Sequence, residues 1–467
     1  MRRTSRRLGR QLSKRLSRRG SNNKKQGPPE EVLLELDRSK HVVRFKGVSL
    51  AHVCAVLDEV RSGKAAPGVR VLVAKRDLAK DVWAGRAFRD DGFVPYRKSG
   101  ELQEYDEADV EERPREDWTI ADVCDFVIIP RVTEGERFYT EALPEEDVGE
   151  PFQGAFVSQA RSCRFADLVT ALEQHYQGRD PRKCFVWLDL FCANQPRLLT
   201  EDESVAEERA ALLTSGFHVA IEWFDERLFF FDSWSKPKPL TRAWCIWEIF
   251  GAIQAGKSMT VIYPTGEEDQ FIEALVEDFN AATLAISEMQ PQEAECFSPK
   301  DLEMIQEAVE TSVGWPRLKS MVVAQVVAWL HEATERLAEG RWGEETRANA
   351  DFLNHAGLLM NSADKRAVAL KYYERSREIY VKVHGGEDHP SVAATLGNMA
   401  VVYEAQGDLR KALETYQRSL DIDVAAYGTE DHPSVASTQY NMADCLEKMG
   451  DLARAQDLAR KALRTWQ

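Results

Sequence analysis

The chain has 467 residues, of which 43% are hydrophobic and 30% charged, and its formal net charge is −16. This balance is typical of a soluble globular protein with about three domains of roughly 150 residues each. We find no run of 18 apolar residues and no apolar signal-peptide core, which predicts neither a transmembrane helix nor a secretory leader.

The charge is distributed unevenly along the chain. Residues 1–29 carry eleven Lys and Arg and no acid, so the remaining chain has a net charge of about −27. An acidic body does not attract nucleic acid, and we predict no specific nucleic-acid partner. Residues 1–30 are predicted to be a disordered basic tail. This tail could be merely solvated, could touch an anionic membrane or another polyanion, or could be an organelle transit peptide.

Residues 31–100 are predicted to form a small mixed α/β unit. Its clearest elements are a helix at residues 49–63 and a strand at residues 69–75. Residues 101–117 contain nine acids and Pro114 and are predicted to be an acidic linker.

Residues 118–290 alternate between apolar strand patterns and helical patterns. A short apolar run is followed by a helix pattern that stops at a glycine, and the sequence then repeats this alternation. Such alternation predicts a mostly parallel sheet covered by helices, with right-handed crossovers. The strand patterns are at residues 155–159, 184–191, 227–234 and 259–264, and the main helix patterns are at residues 165–177 and 240–256.

The C-terminal part of the chain repeats itself with a period of 43 residues. His389 matches His432, Ala412 matches Ala455, and an earlier degenerate copy begins near Asn354. Each copy reads as a helical hairpin, with small residues where two helices approach closely. In the two complete copies Pro390 and Pro433 lie in the first helical turn. Residues 345–467 resemble the tetratricopeptide family in its kinesin-light-chain subtype, and residues 291–344 are predicted to be a helical connector.

The resemblance implies a peptide-binding groove. One Asn lies on the first helix of each repeat, at Asn354, Asn398 and Asn441, and in the family this position can hydrogen-bond a peptide backbone. The alternative is that these are surface Asn residues with no binding role. Because an array needs capped ends, the last hairpin could also pair with another chain, which would make a homo-oligomer.

Three segments of the α/β region resemble the Toll/interleukin-1 receptor (TIR) superfamily, whose sheet is flavodoxin-like. They are Phe156-Val157-Ser158, FVWLDLFCANQ at residues 185–195, and the Trp-Cys-x-x-Glu helix from Trp244 to Glu248. The second segment also resembles fungal heterokaryon-incompatibility domains. The resemblance implies a TIR-like signalling or assembly domain.

Some TIR domains hydrolyse NAD, and the resemblance would place their catalytic carboxylate at Glu248. A carboxylate can stabilise the oxocarbenium-like state of such a reaction. Trp234 or Trp244 could stack on a flat ring. However, the chain has Gln159 where the family motif expects His, so a site relying on that His would be broken. The alternative is structural, with Glu248 paired to an Arg such as Arg242.

Two more polar residues are candidates for a ligand cleft. Asp189, at the end of a strand, could line the crevice where α/β folds bind ligands, and Asn194 follows it closely. The alternative is that this segment is strand core followed by a turn. The ligand-cleft candidates are therefore Ser158, Asp189, Asn194, Trp234, Arg242 and Trp244.

Residues 251–258 match the phosphate-loop pattern G-x-x-x-x-G-K-S, but we predict no phosphate binding there. That loop needs a strand before it and a helix after it, so that amide groups and a helix dipole point at the phosphate. Here a helix pattern precedes the match, and the strand pattern MTVIYP follows it.

Together these patterns predict a multidomain protein, with an α/β TIR-like domain followed by an all-α tetratricopeptide solenoid. We expect a cytoplasmic interaction scaffold that binds partner proteins through the groove of the repeats, with organelle targeting as the alternative location. We expect no cofactor and no metal. The rival function is a glycohydrolase that uses Glu248 and takes NAD or another nucleotide as substrate.

Overall fold

A computed structural model describes residues 45–74, 85–89, 92–94, 110–132, 138–194, 217–267, 290–296 and 299–466. The predicted basic tail, residues 1–30, lies outside them. The chain divides into two compact units. Of the described residues, the first unit comprises those from 45 to 267 and from 290 to 324, and the second comprises those from 325 to 466. Among the described residues, none of the helices has both the length and the apolar character needed to cross a bilayer.

The strands all belong to the first unit. They are β1 (Lys46–Ser49), β2 (Val69–Ala74), β3 (Gly85–Arg89), β4 (Gly92–Val94), β5 (Val110–Glu112), β6 (Val148–Pro151), β7 (Ala155–Ser158), β8 (Phe185–Trp187), β9 (Glu226–Phe230) and β10 (Thr260–Ile262).

The α-helices fall in both units. In chain order they are α1 (Leu50–Arg61), α2 (Ile120–Val123), α3 (Ile129–Arg131), α4 (Phe165–His175), α5 (Asp189–Cys192), α6 (Phe217–Trp223), α7 (Ala243–Gln254), α8 (Pro299–Ser312), α9 (Trp315–Gly340), α10 (Arg347–Ser362), α11 (Arg366–His384), α12 (Pro390–Ala405), α13 (Leu409–Tyr427), α14 (Pro433–Lys448) and α15 (Leu452–Trp466).

The main sheet of the first unit has six strands in the order β10-β9-β7-β8-β1-β6. Strands β7, β8, β9 and β10 are parallel, whereas β1 runs antiparallel to β8 and β6 runs antiparallel to β1. The parallel strands, numbered along the chain, therefore lie in the order 2-1-3-4. In such a sheet the strand order reverses beside the first strand, and ligands bind outside the carboxyl ends at that point. The prediction of a mixed, mostly parallel sheet is confirmed.

The two central parallel strands are buried on both faces, which explains their apolar sequences. All four residues of β7 are buried, and the ring of Phe156 stacks on that of Trp187 in β8 with centroids 5.2 Å apart. The strand predicted at residues 184–191 ends earlier than expected. The chain turns into the short helix α5 at Asp189, so this residue lies just past the carboxyl end of β8.

The N-terminal part of the first unit differs from the predicted division at residues 31–100 and 101–117. Strand β1 joins the main sheet, where it pairs with β8 and β6. Residues 110–112, inside the predicted acidic linker, form β5 and pair with β2 in a second sheet of order β4-β3-β2-β5. Strand pairing between distant segments decides both placements, and a local composition pattern does not report it.

The second unit contains three helical hairpins with one common register. The first helices of the hairpins (α10, α12 and α14) begin and end 43 residues apart, and so do α11 and α13, the second helices of the first two hairpins. Buried Ser376 donates its hydroxyl hydrogen to the carbonyl of Ala350 at 2.7 Å, and Ser419 donates to Ala393 at the same distance. The predicted period of 43 residues is thereby confirmed in three dimensions.

The linkers between hairpins explain the recurring Asp-His-Pro-Ser-Val sequence. His389 and His432 are the N-cap residues of α12 and α14, and each accepts a hydrogen bond from the backbone N–H of the Ser two residues later. Pro follows at the first helical position, where a missing N–H costs nothing. The ring of His389 also stacks on His384, and that of His432 on Tyr427. Each linker therefore fixes the angle at which the next hairpin begins.

Candidate functional site

The first candidate site lies at the carboxyl ends of the parallel strands. Ser158 is the last residue of β7, and Asp189 follows β8 by two residues. Glu248 lies on α7, and its carboxyl group accepts a hydrogen bond from the Ser158 hydroxyl. The fold thus brings three of the candidate residues to the point where the strand order reverses, which is where open α/β sheets bind ligands.

Glu248 is buried, with only 7% of its surface exposed. Burial removes water from the carboxylate and raises the pKa of Glu248 to about 8, and the negative charge of Asp189 acts in the same direction. The hydrogen bond from Ser158 opposes this rise in pKa but does not overcome it. The carboxyl group is therefore largely protonated at neutral pH.

Asp189 is held by two side chains from the segment after β7. Arg161 forms an ion pair with it, Nη2 to Oδ2 at 2.6 Å, and Gln159 donates from Nε2 to Oδ1 at 2.7 Å. Gln159 also accepts a hydrogen bond at its backbone oxygen from the thiol of buried Cys245, at 3.4 Å. Gln159 thus helps to link the ends of β7 and β8.

The ion pair expected between Glu248 and Arg242 is not the one that forms. Arg242 lies 3.7 Å from the carboxylate of Glu295, and the backbones of these two residues form an isolated β-bridge. Arg242 precedes the first turn of α7, whereas Glu248 lies in the middle of the helix. The two side chains therefore lie at different positions along the helix axis.

The remaining candidates are Asn194, Trp234 and Trp244. Asn194 is 3% exposed, and Trp234 and Trp244 are half-buried. Trp244 lies one turn before Glu248 on α7, and the backbone N–H of Trp234 donates to Glu267 at 3.1 Å.

The phosphate-loop match lies at the end of α7 and before β10, so the order of helix and strand predicted from the sequence is confirmed. Gly256 has φ of +62°, the left-handed conformation typical of a residue that ends a helix. The backbone N–H groups of Gly256 and Lys257 both bond to carbonyls of α7. These amides therefore do not point at a phosphate.

A cleft of about 380 Å³ lies at the opposite end of the parallel strands. Sequence reasoning missed it, because its wall is assembled from the starts of three strands and a helix end that are far apart in the chain. It is lined by Gln153, Gly154, Tyr176, Arg179, Asp180, Lys183, Cys184, Phe185, Asp225 and Glu226. Glu226 accepts hydrogen bonds from the side chains of His175 and Arg179, and Asp225 accepts one from the Gly154 N–H. Much of the negative charge that lines the cleft is therefore compensated by neighbouring residues.

The second candidate site is a surface of the helical array, which we call the inner face. The helix α12 contacts both α10 and α14 directly, so the three first helices form one layer. On α10 the residues that are not fully buried recur every three or four positions, which places them on one stripe. The inner face comprises residues 351, 354, 355, 358, 361 and 362 and their counterparts on α12 and α14, at residues 394, 397, 398, 401, 404 and 405 and at residues 437, 440, 441, 444, 447 and 448.

The three Asn residues predicted to bind peptide all lie on the inner face, but they are not equivalent. In the 43-residue register His355 is the counterpart of Asn398 and Asn441, and Asn354 lies one position earlier. Asn398 donates from Nδ2 to Oδ1 of Asn354 at 3.1 Å. Two of the three carboxamides are therefore bonded to each other.

The comparisons with known proteins concern the helical array. Residues 348–425 and 436–465 match family models described as tetratricopeptide repeat. No curated protein matches the chain. The C-terminal region therefore consists of tetratricopeptide repeats, and the prediction of repeats in residues 345–467 is confirmed.

Several solved structures are similar to the chain, and they include proteins of the kinesin-light-chain kind. BtubC (BKLC) from P. vanneervenii is 18% identical, with a TM-score of 0.27 over 48% of this chain and 80% of that one. A putative kinesin light chain with nearly identical TPR-like repeats from Podosopora anserina is 16% identical, with a TM-score of 0.28 over 43% of this chain and 93% of that one. A substituted variant of that same protein is also 16% identical, with a TM-score of 0.29 over 42% of this chain and 92% of the variant.

Proposed function

We propose that the protein is an interaction scaffold that binds extended segments of partner proteins along the inner face. The observation that carries this proposal is the direct contact of α12 with both α10 and α14, which places three equivalent stripes of partly exposed side chains side by side. Stacked helical hairpins generally use such a surface for binding, because it is long, continuous and rigid.

The experiment compares two double variants of the full chain. Ala394 and Ala405 are exposed on the inner face, whereas Ala425 and Ala426 are exposed on the second helix α13. Bound partners are captured on the immobilised chain and identified by mass spectrometry. Replacing Ala394 and Ala405 by Arg should abolish capture of specific partners, and replacing Ala425 and Ala426 by Arg should leave it unchanged. Equal capture by both variants would exclude the inner face.

For the first unit we propose a role in signalling or assembly, as its resemblance to TIR domains implies. Support comes from the 2-1-3-4 order of the parallel strands and from the position of the Trp-Cys-x-x-Glu helix beside the end of β7. We further propose that the protein acts in the cytoplasm, with the basic tail as a contact for anionic surfaces.

The glycohydrolase alternative lacks support. A carboxylate that stabilises an oxocarbenium-like state has to be ionised and has to face the substrate. Glu248 is 7% exposed and bonded to Ser158, and burial raises the pKa of its carboxyl group to about 8. We expect the purified chain, including a form with a fused oligomerisation domain, to release no nicotinamide from NAD. Release that disappears in Glu248→Ala would reverse this conclusion.

A further inference from the structure

Each of the two linkers between hairpins is bounded by a pair of stacked rings, and the two pairs differ in their chemistry. In the first pair His384, the last residue of α11, stacks on His389 with ring centroids 3.4 Å apart. In the second pair Tyr427, the last residue of α13, stacks on His432 with centroids 3.5 Å apart. We call these pairs the first joint and the second joint. The same position of the 43-residue register is thus an imidazole in the first joint and a phenol in the second.

A proton added to either N-cap histidine removes a hydrogen bond at the start of the next helix. Nδ1 of His389 accepts from the backbone N–H of Ser391 at 3.1 Å, and Nδ1 of His432 accepts from that of Ser434 at 3.2 Å. A neutral imidazole that accepts at Nδ1 carries its hydrogen on Nε2, so a second proton has to bind at Nδ1. Acid therefore weakens the start of α12 or α14 unless the surroundings stabilise the imidazolium.

The surroundings of the first joint oppose such a proton. His384 is a second imidazole in face-to-face contact with His389, and Arg347 of α10 adds a cation. Burial lowers the pKa of His389, and the charges of His384 and Arg347 lower it further. Nε2 of His384 is itself buried and, among the described residues, has no hydrogen-bond partner. A positive charge on either ring of this pair is therefore poorly compensated.

The acids on the neighbouring elements do not supply the missing negative charge. Asp351 of α10 accepts a hydrogen bond from the Tyr380 hydroxyl, and its Oδ2 lies 3.9 Å from Nε of Arg347. Glu387 in the linker forms ion pairs with one arginine of α11 and one of α13. Asp388 is exposed, so its charge is screened by solvent. The first joint therefore has cations and engaged acids around it.

The second joint has a buried carboxyl group where the first has a ring. Asp423 of α13 is the counterpart of Tyr380, and it is only 3% exposed. Burial raises the pKa of Asp423 to about 6, and the charge of nearby His432 opposes this rise. Pro390 stands at the position that corresponds to Arg347, so this cation has no counterpart. A first proton therefore neutralises the second joint, whether it binds to Asp423 or to His432, whereas the same proton charges the first joint.

These differences give the two joints opposite responses to acid. Because the pKa of His389 is lowered, the folded array binds this proton less readily than the unfolded chain does. The first joint therefore loses stability as pH falls below about 6.5, the ordinary pKa of histidine. Because the pKa of Asp423 is raised, the folded array binds that proton more readily than the unfolded chain. The second joint therefore gains stability as pH falls through about 6.

We propose that the array contains an acid-sensitive joint, at which mild acid separates the first hairpin from the second while the second stays joined to the third. The sensitive group is the stacked pair of His384 and His389. The second joint is an internal reference, because it repeats the same backbone geometry without that pair. This property goes beyond the proposed function, since it concerns how the hairpins hold together and not which partner they bind.

Hydrogen–deuterium exchange of the full chain at pH 7 and pH 5, corrected for the intrinsic pH dependence of exchange, tests the proposal. Peptides that cover residues 385–396 report on the first joint, and peptides that cover residues 428–439 report on the second. From pH 7 to pH 5 the protection of first-joint amides should fall about tenfold or more, the change in an equilibrium constant that corresponds to one pKa unit. Protection at the second joint should stay constant or rise.

Two substitutions separate the chemistry of the joints. His384→Tyr places the phenol of the second joint in the first joint and should reduce its loss of protection to less than about threefold. Asp423→Asn removes the carboxyl group of the second joint and should make that joint lose protection in acid. Tyr427→Phe is the matched control, because it alters the equivalent ring without changing any group that titrates near pH 6. Both of its joints should respond as in the parent.

Circular dichroism at pH 7 checks that each variant folds, and His384→Phe takes the place of His384→Tyr if the latter does not. Equal loss of protection at both joints of the parent would overturn the proposal, because the stacked histidine pair would then have no special effect. A first joint that keeps its full acid response without the His384 imidazole would overturn it as well. A second joint that stays protected in Asp423→Asn would contradict the compensating role of that carboxyl group.

Discussion

Ser158, at the carboxyl end of β7, donates its hydroxyl hydrogen to Glu248 in the middle of α7, in a region from which water is largely excluded. Together with the bond from the Cys245 thiol to the Gln159 carbonyl, this hydrogen bond ties the end of the first parallel strand to the Trp-Cys-x-x-Glu helix. It satisfies one oxygen of a carboxyl group whose burial otherwise disfavours its ionised form.

Glu248→Gln should make the stability of the first unit less dependent on pH. The pKa of Glu248 is about 8 in the folded chain and near 4.5 in the unfolded chain. Between these values the unfolded state releases the proton that the folded state keeps. The parent therefore loses stability as pH rises from about 5 to 8, by at most about 1.4 kcal/mol per pH unit.

Urea denaturation of both proteins, followed by tryptophan fluorescence at pH 5, 6.5 and 8, measures this difference. The advantage of the Gln variant should grow with pH and level off above pH 8. A parent and a variant whose free energies of unfolding change in parallel would show that Glu248 is ionised in the folded state.

Replacing two glycines of the first helices by alanine should change the stability of the array in opposite directions. At Gly357 an added Cβ would lie 2.4 Å from the buried ring of Tyr373, so Gly357→Ala should overpack the first hairpin and cost about 1–3 kcal/mol. At Gly397 the nearest atom lies at 3.7 Å, so Gly397→Ala should stabilise the array by up to about 1 kcal/mol through helix propensity. Thermal unfolding followed by circular dichroism compares the two, and equal effects would contradict the packing at Tyr373.

The two buried serines of the second helices should contribute equally to the stability of the array. Ser376 and Ser419 make the same bond to a carbonyl of the preceding helix, at 2.7 Å. Ser376→Ala and Ser419→Ala should each lower the free energy of unfolding of the array by roughly 0.5–1.5 kcal/mol, the net value of one hydrogen bond. A large effect of one and none of the other would indicate that the hairpins are not equivalent.

Lys257→Ala should leave ATP binding at the background level of the parent. The amides of Gly256 and Lys257 close the end of α7, so the segment lacks the cradle that a phosphate needs. Isothermal titration of ATP with Mg²⁺ into both proteins is the measurement. Parent binding that the variant loses would mean that the match is a working phosphate loop.

Removal of residues 1–29 should abolish binding to vesicles that contain anionic lipid. The segment carries eleven positive charges, each worth about 1 kcal/mol near such a surface, whereas the rest of the chain is acidic. Co-sedimentation at low and high salt measures the effect, with neutral vesicles as the control. Vesicle binding that survives the deletion would place the contact elsewhere in the chain.

Much of the fold could be predicted because it is encoded by residues close together in the sequence. The helices α4 and α7, the strands β7 and β10, and the helical hairpins all follow from local periodicity and glycine stops. Strands β8 and β9 were both predicted too long, at residues 184–191 and 227–234, because an apolar run does not reveal where the chain turns away from the sheet.

By itself, the sequence determined that this protein ends in tetratricopeptide hairpins with a 43-residue period, preceded by a region of alternating strands and helices. These are short-range properties, set by side-chain periodicity and caps within single elements. Only the tertiary structure decided that Lys46–Ser49 joins the main sheet and that Arg242 pairs with Glu295. It also decided that Ser158 donates a hydrogen bond to Glu248 and that Asn398 donates one to Asn354. Each of these contacts joins residues that are 40 or more positions apart. Strand order and helix packing set which of them meet, and the local pattern around each residue is compatible with several partners.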